Sequence, residues 1–151
     1  MDKLKAGIAV YNTQTDEVAL MRMVDGQVCF TSAKMSQGGE VEIEDIGMNL
    51  ADCREATATE KIAMQQAMNN QNLVWDSYRK TIQESRFTPK NGDYVRVSIL
   101  GEDIISGVFK CFDDNGDIVM YCQLRKDGTL GYSQYEVIGP KENYQFQAIG
   151  S

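Results

Sequence analysis

Tyr94-Val95-Arg96-Val97-Ser98-Ile99-Leu100 decides how the C-terminal half of this chain folds. Successive side chains of a strand point to opposite faces, so Val95, Val97 and Ile99 share one side and Tyr94, Arg96 and Ser98 the other. Outward from this stretch the period stays at two. Ile104 to Phe112 continues as a second strand, with Gly107 placed for a bend or bulge. Asp114-Asn115-Gly116-Asp117 is the strongest turn signal in the chain, because Asn-Gly favours a type I′ turn. Ile118, Met120, Cys122 and Leu124 alternate next, and Lys126-Asp127-Gly128-Thr129 marks a further hairpin before Leu130 to Ile138. After Gly139-Pro140, Tyr144 to Ile149 supplies a last strand. Five short strands joined by tight turns must hide their edges, which predicts a small closed barrel over 89–151.

Upstream, residues 7–12 and 17–24 read as strands, with Asp25-Gly26 as a hairpin turn and Val28 to Ser32 returning. Val41 and Ile43 suit a short edge strand. Residues 50–68 are rich in Ala, Met, Gln, Glu and Lys, and Asn49 is placed as an N-cap with Asp52 three residues on. Met64, Met68, Trp75, Tyr78 and Ile82 recur at spacings that put them on one helical face. The spacing predicts one long helix, or two hinged near Asn70, ending before Pro89. The expected architecture is therefore α+β: an N-terminal β-hairpin unit (1–48), a long or hinged helical segment (49–88) and a five-stranded small barrel (89–151).

Val95 to Gly101 followed by Gly107-Val108-Phe109-Lys110-Cys111-Phe112-Asp113 resembles the first motif of Sm-like small barrels, a signature shared with SH3-like barrels. The resemblance covers about a third of the chain and implies the barrel fold; proteins of the Sm-like family form rings and often bind RNA. The family's Asn after the Asp is not at its offset here. Tyr135-Glu136-Val137-Ile138-Gly139 stands where an Arg-Gly pair is expected, so the family's RNA-contact residues are not carried over.

Composition bounds the function. An apolar fraction of 42% with 25% charged residues is that of a globular protein, which argues against wholesale disorder. No apolar run approaches the roughly 20 residues that span a bilayer. The apolar run after Lys5 is too short for a secretion signal, so the four cysteines are expected as thiols and the protein in the cytoplasm or within a virus particle. Net charge is −7, with nine basic against thirteen acidic residues up to Arg86 and six against nine beyond it. Neither part carries the basic footprint that sequence-independent binding to phosphates needs.

The chain has no histidine, which removes Ser-His and Cys-His nucleophile pairs and the commonest metal ligand. Cys29, Cys53, Cys111 and Cys122 form no close pair in sequence and read as buried apolar cysteines rather than a zinc site. Asp113-Asp114-Asn115-Gly116-Asp117 lacks the spacing of a calcium loop and reads as a solvated turn. No catalytic, cofactor-binding or metal-ligating residues are expected, and no cofactor. The leading expectation is a non-enzymatic assembly protein, an oligomeric subunit working by protein–protein contact; a phage head–tail connector is its most specific form. Met64, Met68, Trp75, Tyr78 and Ile82 are its candidate interface, since Met and aromatic residues suit interfaces, with packing on the protein's own core as the plainer alternative. The second expectation is a single-stranded nucleic-acid module using barrel aromatics, with Arg96, Lys110, Tyr121, Arg125, Lys126 and Tyr132 as contacts.

Overall fold

The computed structural model describes residues 7–76, 79–121 and 135–149, and over these the chain forms three sheets and one α-helix. In order come β1 (Ala9–Asn12), β2 (Glu17–Asp25), β3 (Val28–Met35), β4 (Val41–Ile43), β5 (Gly47–Asn49), a 3₁₀ turn at Leu50–Asp52, β6 (Cys53–Glu55) and α1 (Ala58–Asn70). The hairpin β7 (Leu73–Asp76) and β8 (Thr81–Glu84) follows, then β9 (Tyr94–Ile99), β10 (Glu102–Phe112), β11 (Asp117–Tyr121) and β12 (Tyr135–Pro140). A second 3₁₀ turn at Lys141–Asn143 leads into β13 (Gln145–Ala148).

The N-terminal sheet runs β4-β3-β2-β1-β6, with β5 pairing the other end of β3, and every pair is antiparallel. Val18-Ala19-Leu20-Met21 on β2 is an unbroken apolar run because both faces of this sheet are covered. Val18 and Leu20 join Ala9, Ala33, Met64, Met68 and Trp75 in a cluster under α1 and β7. Ala19 and Met21 join Val10, Cys29, Met48 and Cys53 in a second cluster on the opposite face. At the β2–β3 hairpin Asp25 pairs with Val28, leaving Gly26 and Gln27 as the loop, and only Gly26 takes a positive φ (62°). That is the requirement of a type II′ turn, not the type I′ that Asp-Gly suggests.

The expected α+β architecture with a long helical segment is not what forms. The helix covers only Ala58–Asn70 of the stretch 49–88. Its N-cap is Thr57, which accepts from the Glu60 N–H while Glu60 returns a carboxylate to the Thr57 N–H. Asn49 does cap, but it caps the 3₁₀ turn, accepting from the Ala51 N–H. Past Gln71 the chain turns into the β7–β8 hairpin, where Trp75 pairs directly with Ile82. A spacing of seven that fits one helical face equally fits a cross-strand pair, and β-branched and aromatic residues favour the strand.

The expected barrel is corrected as well. The C-terminal strands form a five-stranded antiparallel sheet in the order β12-β11-β10-β9-β13, and among the described residues no ladder joins β12 to β13. The sheet curls over its own cluster of Val95, Val97, Phe109, Ile118 and Met120, with Ile138 of β12 and Phe146 of β13 both packed on it. At the β10–β11 turn Gly116 has positive φ and Asn115 does not, so this too is not type I′. The expected hairpin at 126–129 and the strand residues 130–134 lie outside the described residues.

Side-chain amides hold the two halves together. Gln145 of β13 accepts from the Trp75 N–H (3.0 Å) and donates to the Trp75 carbonyl (2.8 Å), taking the place of a strand neighbour for β7. Gln65 of α1 accepts from the Leu100 N–H at 2.6 Å, and its amide donates to Asn69, whose own amide reaches the carbonyls of Glu142 and Tyr144. Gln65 and Gln145 are both buried. Removing such an amide leaves backbone groups buried without partners, each costing about 1–3 kcal/mol. Gln145→Ala should therefore lower unfolding stability by about 2–4 kcal/mol, read as a shifted urea midpoint, whereas Gln147→Ala on the same strand should change it by less than about 0.5 kcal/mol.

Candidate functional site

The face of the C-terminal sheet opposite its cluster is set by the alternation that defined the strands. Val95 and Val97 point into the cluster, so Tyr94 and Arg96 point away, and Val108 sits directly across from Tyr94. Phe109 pairs with Met120 in the cluster, which turns Lys110 and Tyr121 outward. Across the next ladder Val119 faces Val137 and Tyr121 faces Tyr135. Tyr94 (46% exposed), Tyr135 (56%) and Val137 (56%) leave far more of their surface in water than core side chains do. Ile104 (46%) adds to them from the bulge between Asp103 and Ile105.

Polar side chains interrupt the apolar ones on this face, among them Asp103 across from Ser98, and Ser106 and Gln147 on either side of Arg96. Lys110 Nζ lies 4.9 Å from the centre of the Tyr135 ring, a cation–π contact. Arg96 Nε is 3.8 Å from Asp103 Oδ1, and the Tyr121 hydroxyl donates to Asn91 Oδ1 at 3.4 Å. The free edge of β12 borders the face: among the described residues β12 pairs only with β11.

Of the sequence-expected interface, Met64, Met68 and Trp75 are fully buried and Ile82 packs against them in one cluster. They come together inside the protein, Met64, Met68 and Trp75 without exposed surface and Ile82 partly buried. Tyr78 lies outside the described residues. Of the nucleic-acid candidates, Arg96, Lys110 and Tyr121 share the outer sheet face, while Arg125, Lys126 and Tyr132 lie outside the described residues. Val137 and Ile104 were not singled out from sequence. Each sits in a stretch that also fills core positions, and nothing local distinguishes the covered side from the open one.

Two grooves of about 510 Å³ open elsewhere. One runs between β7, the 85–88 connection and β13, lined by Leu73, Arg86, Phe87, Lys141, Tyr144 and Phe146. The other lies between α1 and the N-terminal sheet, with Tyr11, Asp16, Met35 and Glu60 on its walls. The ionisable groups of the second are committed to structure. The Tyr11 hydroxyl donates to Asp16 at 2.7 Å, and Arg54 grips both oxygens of Glu60 at 2.9 Å while lying over the Tyr11 ring. The Asp113 carboxylate in the β10–β11 turn likewise accepts from the Asn115 and Asp117 N–H groups. Among the described residues no three Cys, Asp or Glu side chains converge as metal ligands. Among the described residues no helix is long and apolar enough to cross a membrane. Comparison of the chain with protein-family models, curated proteins and solved structures finds no match.

The hydrogen bonds from Arg54, against the opposing cost of burial, hold the Glu60 carboxyl at about 2, below its ordinary value near 4.5. A carboxyl whose folded value is depressed stabilises above its unfolded value and loses that contribution as pH falls toward the folded one. Glu60→Gln should lower the melting temperature at neutral pH and flatten its dependence between about pH 4.5 and 2 relative to wild type. Thermal melts across that range check both.

Proposed function

We propose that the protein is a non-enzymatic assembly subunit, joining copies of itself through the outer face of the C-terminal sheet. The observation that carries the proposal is the set of large apolar side chains, Tyr94, Tyr135 and Val137, held half-exposed on one sheet beside a strand edge that is unpaired among the described residues. Water-exposed apolar surface on a sheet next to an unpaired edge favours association. Tyr and Val offer contact area at small conformational cost, and the Lys110–Tyr135 contact holds one of the rings. A particle component of the kind expected from sequence is the most specific form of this role.

Arg96 and Lys110 beside Tyr94, Tyr121 and Tyr135 support a second reading, single-stranded nucleic-acid binding by stacking. It is the weaker of the two. Among the described residues this face carries two cations, one of them already beside Asp103, which are few for a backbone that carries a charge at every phosphate.

Salt separates the readings by sign. A chain of net charge −7 repels its own copies, so screening should strengthen self-association, whereas binding to phosphates weakens as salt rises. Sedimentation at about 0.05 and 0.5 M salt should show a concentration-dependent oligomer that is tighter at the higher value. Tyr135→Glu or Val137→Lys should weaken it by roughly tenfold or more without changing the fold. A monomer at every concentration and both salts would refute the proposal, and salt-sensitive binding of single-stranded oligonucleotides would put the second reading in its place.

A further inference from the structure

Two strands, β2 and β1, separate β3 from β6 in the N-terminal sheet. Neighbouring strands lie about 4.8 Å apart, so in a flat sheet Cys29 of β3 and Cys53 of β6 would stand roughly 14 Å apart. Their sulfurs are 3.7 Å apart. The sheet curls until its separated strands meet, and the passage from β5 through the 3₁₀ turn into β6 closes the curl. Cys29 Sγ lies 3.6 Å from the Met48 carbonyl and Cys53 Sγ 3.5 Å from the Asn49 carbonyl, both on that passage. Both thiols are buried among Val10, Ala19, Met21 and Met48.

We propose that Cys29 and Cys53 are a cross-linking site, at which a small-molecule disulfide of the glutathione class oxidises the two thiols to a disulfide joining β3 to β6. One cysteine thiolate attacks the reagent, its S–S bond breaks, and one small thiolate leaves behind a mixed disulfide. The second cysteine then attacks the protein-side sulfur and expels the other small thiolate. Two protein thiols are oxidised by two electrons, the reagent is reduced to two thiols, and the two S–H protons end on the released thiolates.

Geometry also sets the rate. Burial, and then the neighbouring Cys29, push the Cys53 thiol up to about 12, so almost no thiolate is present while the sheet is closed. Cys53 sits on a three-residue strand at the end of the sheet order, next to the 3₁₀ turn, which makes β6 the segment that must unpair to admit the reagent. Exchange is therefore gated by opening of residues 47–55. Once formed, the link is sheltered from reductant by the same cover. Cys111 is half-buried on the other sheet, in no contact with this pair.

The experiment holds the full-length protein in glutathione buffers from reducing to oxidising, quenches with acid, alkylates remaining thiols in denaturant and maps peptides without reduction. At the oxidising end a Cys29–Cys53 linked peptide is expected, with an intact mass lower by two hydrogen atoms. Closing a loop of about 25 residues should raise the melting temperature by roughly 10 °C. Mild urea, which opens the edge, should speed formation. Cys111→Ala should keep the link and the melting shift, and Cys53→Ala should lose both. No linked peptide at the oxidising end, glutathione retained on Cys29 or Cys53, or links made through Cys111 or Cys122 would each overturn the proposal.

Discussion

A strand can be held without a strand beside it when a primary amide supplies one N–H and one C=O at the spacing of a backbone neighbour, and Gln145 does this for Trp75. Gln71 does the same for Val41, accepting its N–H at 2.8 Å and donating to its carbonyl at 3.0 Å. Buried backbone groups must be paired, and each of these sits where a sheet stops short of covering its own edge. Much of the rest hangs on the contact at Trp75. The indole fills the cluster beneath α1, and Gly101 packs so closely that a Cβ there would run into the Gly7 carbonyl and meet the indole nitrogen at 3.0 Å. Leu100, next to it, holds a positive φ of 53° that a leucine rarely adopts, with its N–H fixed by Gln65. The β9–β10 turn is thus moulded against the N-terminal half, and its strain is offset by the amide that anchors it.

None of these amides was legible in the sequence. Gln65 and Gln71 read as helix formers, and Gln65 is in the helix, but propensity does not say that its amide faces inward to a turn 35 residues away. The helix itself was over-extended for a related reason. Met64 and Met68 do share a face of α1, whereas Trp75 and Ile82 share their cluster by pairing across a hairpin. A period of seven cannot separate the two arrangements, and only the strand-favouring Leu73-Val74-Trp75 and Thr81-Ile82 argued for the second. The Asn69-Asn70-Gln71-Asn72 run was the visible warning. Asn72 there takes the positive φ that starts the hairpin.

Most strands of both sheets were legible because alternation is a local property; β5 and β6 were not, and Cys53–Glu55 fell within the stretch read as helix. Which side of each strand is covered was not legible either. Tyr94, Arg96 and Ser98 share a face, yet Ser98 is buried and Tyr94 half-exposed. The Ser98 end pairs with Gln145, whose amide is engaged with Trp75, so the N-terminal half takes that end and leaves the other to solvent. The candidate site is therefore a remainder, defined by where a second unit stops, and no pattern within 94–100 encodes that boundary. The cysteine pair has the same character. Cys29 and Cys53 are 24 positions apart and separated by two strands, and they meet only because the sheet curls.

Two terminal strands, β4 and β12, are built differently, and the difference bears on what the open face is for. β4, at one end of the N-terminal sheet, has three residues, and Glu40, Glu42 and Glu44 alternate along and beside it. A short strand bristling with like charges rejects an incoming strand, so the well-exposed Ile43 stands alone among carboxylates. β12, at the end of the C-terminal sheet, has six residues with Glu136 as its one charge, and it sets Tyr135 and Val137 outward. A chain with an excess of acidic residues has the means to guard both edges in the same way, and it guards one. Leaving apolar side chains in water costs solubility, a cost that is removed when the surface is covered, and the edge with a single carboxylate is the one that borders the apolar face.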